Sequence, residues 1–511
     1  MLFFLGVLFF LIYLFYQFYW KRKDYPPGPL PLPFIGNILQ IDSNNFGKQL
    51  LNWKKIYGEI YTIWMPTPKI IVSNPECFKE LVRLGDAYSG RPQAKLQRMF
   101  MGGSYGLVFA DEFWRSQKRF ALRVLRDFGF VFADEFWRSQ KRFALRVLRD
   151  FGFGKPILED TIISQTKEIQ QILKNTKSEP FVIRKLITTA VGNVIHQLTF
   201  GYTVPLESDY IVNLRDQMIE STEFFFQPMA MLIQLWPGFK ALDPLFNYQL
   251  KKSWDLNNVL IRMIETEIKK HRETIDWESE PRDYMDAFLM EQKKNGFEKS
   301  EHGEWGDRQL IAAVLDLFGA GMETTSATVR MLILYLIRQP EVQKRLHDEI
   351  DSKIGRDRAV TMQDQSNLPF LQACITECQR VASIFPMNMS HRLTEDVVLN
   401  GYHLRKNMHV VPQFQNIHLD EKYFPNPEHF DPTRHLQNGK FVKNENILPF
   451  SAGKRSCLGE GLAKMEIFLM AANLFQQFEF LPEKDGVLPA IKFNKGIMLS
   501  PNEFKLRVVP R

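Results

Sequence analysis

One of this chain's four cysteines constrains its fold more than any other feature. Phe450-Ser451-Ala452-Gly453-Lys454-Arg455-Ser456-Cys457-Leu458-Gly459 sets a thiol between two glycines, with Arg455 two residues before it and an amphipathic helix expected just after. A lone cysteine in an apolar setting is ordinarily inert core. Here the glycines relieve the steric limit on tight turns, so backbone amides can close around the sulfur. Those amides, a helix amino terminus and nearby cations all favour thiolate over thiol. Phe450, seven positions upstream, stands where it could shield the sulfur from water.

The other cysteines, Cys77, Cys374 and Cys378, make no disulfide scaffold in 511 residues. Cys374 and Cys378 lie four apart in a helical pattern with no His or Cys cluster beside them. They read as packed small hydrophobes in a reducing compartment. Hydrophobic residues at 45% and charged residues at 24% suit a large core and exclude disorder. No low-complexity spacer follows the first thirty or so residues, so 33–511 reads as one folded unit. The net charge of +7 permits an acidic protein partner, an anionic membrane surface, or no partner at all. No basic-aromatic block suggests nucleic acid.

Met1 to Trp20 is almost unbroken apolar sequence, Gln17 being the only strongly polar residue. As a helix it would be about 30 Å long, enough to cross the hydrocarbon layer. Lys21, Arg22 and Lys23 follow at once, which by the positive-inside rule leaves the rest of the chain cytosolic. A cleaved secretory signal is the alternative, but the stretch lacks a basic start and a small-residue cleavage site. Segment 21–32 then reads as a basic linker, stiffened by Pro26-Pro27-Gly28-Pro29.

Apolar periodicity predicts helices near 46–57, 75–84, 158–174, 183–199, 209–226, 247–271, 281–293, 306–337, 340–354 and 367–382. Short strands are expected at Glu59–Trp64, Lys69–Val72 and His409–Pro412. The expected class is mainly α with small β-sheets. Val108–Phe130 and Val131–Phe153 are identical at every position. Two copies do not make a solenoid, which needs several repeats to bury a shared core. A tandem duplication, or an error in the sequence, explains the identity better.

The pattern F-x-x-G-x-R-x-C-x-G resembles the cytochrome P-450 superfamily. The resemblance implies that Cys457 is the axial ligand of a haem b iron, in a loop shaped by Phe450, Gly453 and Gly459, with Arg455 pairing a haem propionate. Three further signals follow in the family's order. Glu377-Cys378-Gln379-Arg380 places an acid and a base on one helical face, a weak sign alone. Phe424-Pro425-Asn426-Pro427-Glu428-His429-Phe430-Asp431-Pro432-Thr433-Arg434 is similar to the family's proline-rich meander, implying a structural ion network of Glu377, Arg380 and Arg434. Ala320-Gly321-Met322-Glu323-Thr324-Thr325 is similar to the family's oxygen-binding helix. Small residues there make room beside the iron, and Glu323 and Thr324 match an acid–alcohol pair that relays protons. A threonine can also bond back to a carbonyl and open the helical ladder locally.

Trp-Arg-Ser-Gln-Lys-Arg, present in both copies of the repeat, resembles a propionate-binding helix. The resemblance implies Trp137 with Lys141 if the second copy is used, or Trp114 with Lys118 if the first is; the second is preferred, because an insertion in the preceding loop costs little. His391 aligns with another propionate contact, though a strand-edge surface histidine reads nearly as well. Arg98 is a weaker candidate. The apolar stretch Phe224-Phe225-Phe226, Met229, Met231, Leu232, Leu235 and Trp236 reads either as core or as the roof of the pocket. Leu315, Phe318, Ala320, Phe385 and Ile497 are candidate pocket walls.

The likeness is greatest to the animal microsomal, family 2-like branch. That branch implies a single-pass endoplasmic reticulum protein with a cytosolic catalytic domain. It also implies electrons from an NADPH-dependent flavoprotein reductase or a small haem carrier, docking on basic residues such as Lys454 and Lys464. The implied substrate is a lipophilic small molecule (xenobiotic, fatty acid or steroid-like) that enters from membrane lipid and gains one oxygen atom.

Overall fold

A 32-residue helix, Asp307–Arg338, is buried without a break from Thr325 to Ile337. A helix apolar on every side belongs in a membrane or in the core of a large protein. Here the body itself covers 61% of its most apolar window. The computed structural model describes residues 2–33, 35–42, 46–65, 67–92, 99–101, 103, 105–108, 157–224, 227–296, 300–302, 305–494 and 498–511.

The described helices run α1 (Leu2–Phe15), α2 (Phe46–Tyr57), α3 (Pro75–Arg83), α4 (Ile157–Asn175), α5 (Arg184–Phe200), α6 (Tyr210–Glu223), α7 (Pro228–Leu235), α8 (Gln249–Thr274), α9 (Tyr284–Lys294), α10 (Asp307–Arg338), α11 (Pro340–Lys353), α12 (Pro369–Ala382), α13 (Phe414–His418) and α14 (Glu460–Gln477). The expected periodicities recur within a few residues. One expectation fails: the helix after Cys457 is not amphipathic, because α14 is buried at every position from Glu466 to Gln476. It packs against α4, α10, α11 and α12 and has no long solvent face.

The central α10 packs closely on α5, and glycines set the distance. A Cβ on Gly321 would lie 2.7 Å from Ile195 Cδ1 of α5, and one on Gly192 of α5 would lie 2.2 Å from Ile211 Cγ2 of α6, so the second glycine sets the α5–α6 approach. The expectation that residue 321 is small to leave room for a ligand is thus only part of its reason; Ile195 claims the space.

A four-stranded sheet flanks the helices. The hairpin β1 (Ile60–Met65) and β2 (Thr67–Val72) pairs antiparallel; β2 pairs parallel with His409–Pro412, which pairs antiparallel with His391–Arg392. A three-stranded sheet joins Phe478–Pro482 and Lys505–Pro510, near the carboxyl end, to Phe181–Val182. Pro26–Pro29 lies against β1: Thr62 donates its amide to Pro27 O at 2.7 Å, and a Cβ on Gly28 would fall 1.9 Å from Thr62 O. The apolar amino terminus forms the 14 residues of α1, continued by a five-residue π-helical turn, Tyr16–Trp20. Among the described residues, α10 is the one helix that passes a length-and-apolarity test for crossing a membrane.

Candidate active site

The thiol loop closes on its own backbone. Ser451 N–H donates to Leu448 O (3.1 Å), Ser456 N–H to Gly453 O (3.0 Å) and Cys457 N–H to Phe450 O (2.9 Å). These turns need left-handed backbone at Ser451 (φ +59°) and Gly453 (φ +81°), which costs glycine least. Gly459 differs: its φ is −92°, and a Cβ there would meet nothing within 4 Å. Its backbone does not demand glycine, but it borders a cavity. Cys457 is exposed at that cavity, whereas Cys77, Cys374 and Cys378 are buried, as expected of packed small hydrophobes.

The cavity, of about 300 Å³, separates the thiol loop from the middle of α10. One wall is Asp316, Leu317, Ala320, Gly321, Thr324 and Thr325; the other is Phe450, Ser451 and Arg455–Gly459. Of the expected pocket walls, Ala320 and Phe385 line it. Phe318 does not: it turns into the core against His196 and Phe200, with ring centroids 6.0 and 5.4 Å away. Leu315 likewise packs on the core, and Ile497 lies outside the described residues. The cavity face of α10 is turned by about one residue from the expected one, onto Asp316 and Leu317.

Thr324 donates its hydroxyl to Ala320 O at 2.7 Å, and Thr328 to Thr324 O at 2.8 Å. The expected back-bonding is present, but α10 stays α-helical throughout instead of opening. Glu323 points away from the cavity. Its Oε2 lies 2.5 Å from Arg215 Nε, and its Oε1 is 4.0 Å from Arg330 Nη1. Burial raises its carboxyl pKa, but the Arg215 guanidinium outweighs that and holds it below the usual value.

Three basic groups converge at the loop's edge. Arg455 donates to Ser89 O (2.8 Å) and Arg91 to Ser390 O (3.1 Å), and both line the cavity. His391 is buried, which overturns its reading as a surface histidine: its Nδ1 is 2.7 Å from Tyr88 O and its ring stacks on Tyr88 at 4.0 Å. Its Nε2 has no hydrogen-bond partner among the described residues. Burial, with Arg91 and Arg455 nearby, pushes its pKa well down.

Glu377, Arg380 and Arg434 come together, with Glu377 and Arg380 fully buried. Glu377 accepts from Arg380 Nη2 (2.7 Å) and Nε (2.8 Å), Arg434 Nε lies at 3.4 Å, and Asp431 N–H donates to it at 3.0 Å. Burial opposes the charge, yet Arg380 and His435 bring the Glu377 pKa down to about 2. Arg380 also donates to His418 O, Pro427 O and His429 O, tying the meander to α12.

Trp137, Lys141, Trp114, Lys118, Arg98, Phe225 and Phe226 lie outside the described residues. Sequence reasoning missed Arg91, Arg215, His435 and Asp316. Asp316 Oδ2 accepts the amides of Leu107 (2.5 Å) and Val108 (2.9 Å), and burial pushes its pKa up to about 6. An acid one turn before Ala320 in an apolar helix was the available signal for it; the others had none.

The donor set suits a flat, dianionic group held by sulfur. A thiol faces open space, Gly459 leaves a slot that a side chain would enter, and cations gather at one rim. That combination fits the class of haem-binding proteins whose iron is held by a cysteine. The sequence profile of the family described as Cytochrome P450 matches residues 26–133 and again 126–508, dividing at the repeat so that each part holds one copy. A probable cytochrome P450, CYP36A1 of Caenorhabditis elegans, is 35% identical over 496 residues, 96% of each chain. Cytochrome P450 2J5 of Mus musculus is 33% identical (96% of this chain, 92% of that one), and cytochrome P450 2C28 of Mesocricetus auratus 34% (96% and 95%). The chain belongs to the cytochrome P450 family and is a P450 monooxygenase, a haem-binding oxidoreductase.

Proposed function

We propose that Cys457 ligates haem b, that electrons come from NADPH through a flavoprotein reductase, and that the substrate is a lipophilic small molecule drawn from the endoplasmic reticulum membrane. One observation carries the reading: the exposed thiol and the Ala320–Thr325 face of α10 border the same cavity. Haem bound there supplies activation of dioxygen and insertion of one oxygen atom into the substrate.

The chain's own residues do the rest. The Cys457 sulfur, closed in by loop amides, serves as an electron-rich ligand. Arg455, Arg91 and His391 Nε2 hold the propionates. Ala320 and Gly321 keep the opposite wall low. Thr324 holds a hydroxyl proton at the cavity edge, and Glu323 stands one residue away as the acid behind it. Leu317, Ile384, Phe385 and Met389 give the cavity an apolar lining suited to a lipophilic molecule.

Membrane residence is supported by α1 with Lys21–Lys23 behind it, and by exposed Trp236, Leu245 and Tyr248. Segments 1–20, 21–32 and 33–511 are accordingly anchor, linker and catalytic domain. Basic Lys454 and Lys464, on the thiol side, are candidates for reductase docking.

The test is the reduced, carbon monoxide-bound spectrum of the wild type and Cys457→Ser, together with substrate-dependent NADPH consumption with added reductase. The wild type should show the thiolate signature and turnover, and the serine variant should lose both. Haem bound and active equally well without the sulfur would overturn the reading.

A further inference from the structure

We propose that His418 is a positioning residue whose neutral imidazole couples the buried Glu377–Arg380 network to the thiol loop. The proposal rests on Cys457 being the haem ligand, and adds what holds that ligand in place. His418 ends α13, is buried, and forms part of the cavity wall.

Three bonds meet at this residue. Its main-chain oxygen accepts from Arg380 Nη1 at 2.7 Å, its Nε2 lies 3.0 Å from Leu448 N, and its Nδ1 lies 2.8 Å from Ser383 Oγ. A backbone N–H only donates, so Nε2 must carry the lone pair and the ring proton must sit on Nδ1. Ser383 receives that proton's bond and donates its own hydroxyl to Arg380 O at 2.7 Å. Every bond in the chain therefore has a fixed direction. A doubly protonated ring would have nothing to offer Leu448. Burial, with Arg380 adding to it against the opposing Glu377, pushes the imidazole pKa down to about 3.

Leu448 is where the loop begins. Its amide is held by His418 and its oxygen receives Ser451 N–H; one residue before Ser451, Phe450 O receives Cys457 N–H. The path from the ion network to the sulfur's amide thus passes through one imidazole. Other side-chain bonds anchor the loop elsewhere, as Asn388 does at Ser451 and Arg455 at Ser89.

The test compares His418→Phe, which keeps a flat ring without its two polar atoms, with His418→Asn, whose amide can accept from Leu448 and donate to Ser383. Hydrogen exchange over residues 446–459 and the carbon monoxide spectrum are read on full-length protein. His418→Phe should speed exchange there about ten- to hundredfold, the effect of a buried amide losing its acceptor, and should convert part of the thiolate signature. His418→Asn should restore most of both. Unchanged exchange in His418→Phe, or equal damage in the two variants, would overturn the proposal. Should His418→Phe not fold, Ser383→Ala replaces it and should give the same change at smaller amplitude; no change overturns. Wild-type protein without the thiolate signature but with the expected exchange differences would sink the ligand assignment and leave the hold of His418 on the loop standing.

Discussion

Two buried glutamates, Glu377 and Glu323, are held in opposite ways. Glu377 takes its arginine from one turn along its own helix and adds Arg434, His435 and a backbone amide from the meander. Glu323 takes Arg215 from a different helix, α6, and Arg215 is shared with Asp216. The first carboxylate is enclosed by donors that would all have to be rebuilt elsewhere. The second is one rigid-body displacement of α6 from losing its main partner, and it turns away from the cavity that its neighbour Thr324 lines. Dense local satisfaction marks a scaffold, whereas dependence on one strong partner from another helix marks a group whose state can change.

The largest expected effect falls on the scaffold. Glu377→Gln breaks a buried pair and leaves Arg380 charged in the core, costing about 3–5 kcal/mol. Reduced accumulation of folded protein and a lower unfolding midpoint would check it; a midpoint within a degree of wild type would erase the contrast. The pH dependence has a definite sign. The folded pKa of Glu377 is depressed to about 2 from an ordinary 4.5, so its stabilisation is fully present above 4.5 and is lost as pH falls towards 2. The Gln variant should lack that acid-side slope.

Arg215→Met should cost less, about 1–3 kcal/mol, because Glu323 keeps Arg330 at 4.0 Å. Its more telling effect is on pH. Without Arg215 the largest lowering influence on Glu323 is gone and burial pushes its carboxyl pKa upward, so any step needing the carboxylate fails at higher pH than before. The acid limb of the turnover profile should shift upward in Arg215→Met and vanish in Glu323→Gln. An unshifted limb would return Glu323 to the scaffold class.

The same contrast explains what the sequence made legible. Glu377 with Arg380, the turns around Cys457 and the run Ala320–Thr325 are each local, so spacing alone exposes them. Arg91 bonds Ser390 O from 299 residues away, Arg215 reaches Glu323 from a different helix, and His418 meets Leu448 through a fold that no periodicity encodes. Helix boundaries were readable because turns and prolines punctuate them. Helix phase in α10 is harder to read, since Leu315 and Phe318 are as apolar as Leu317 and the polar cavity-side residues Asp316, Thr324 and Thr325 are few and widely spaced. The burial of α14 is hidden for the opposite reason: Glu466, Asn473 and Gln476 look like a solvent face but lie inside.

The smallest effects come from two glycines that line one cavity for different reasons. A Cβ at 321 would press on Ile195 Cδ1 at 2.7 Å, inside a helix–helix contact, so Gly321→Ala should cost about 1–3 kcal/mol of overpacking. A Cβ at 459 would meet no protein atom within 4 Å at a φ any residue accepts, so Gly459→Ala should leave stability of the haem-free chain within about 0.5 kcal/mol. If the slot at 459 is kept for a bound group, the cost should instead appear as weaker haem retention. Measuring unfolding and haem transfer to an acceptor protein on both variants separates the two. Should Gly459→Ala retain haem as well as wild type, the open space there serves the chain alone, and the cavity's fit to a flat ligand loses one of its supports.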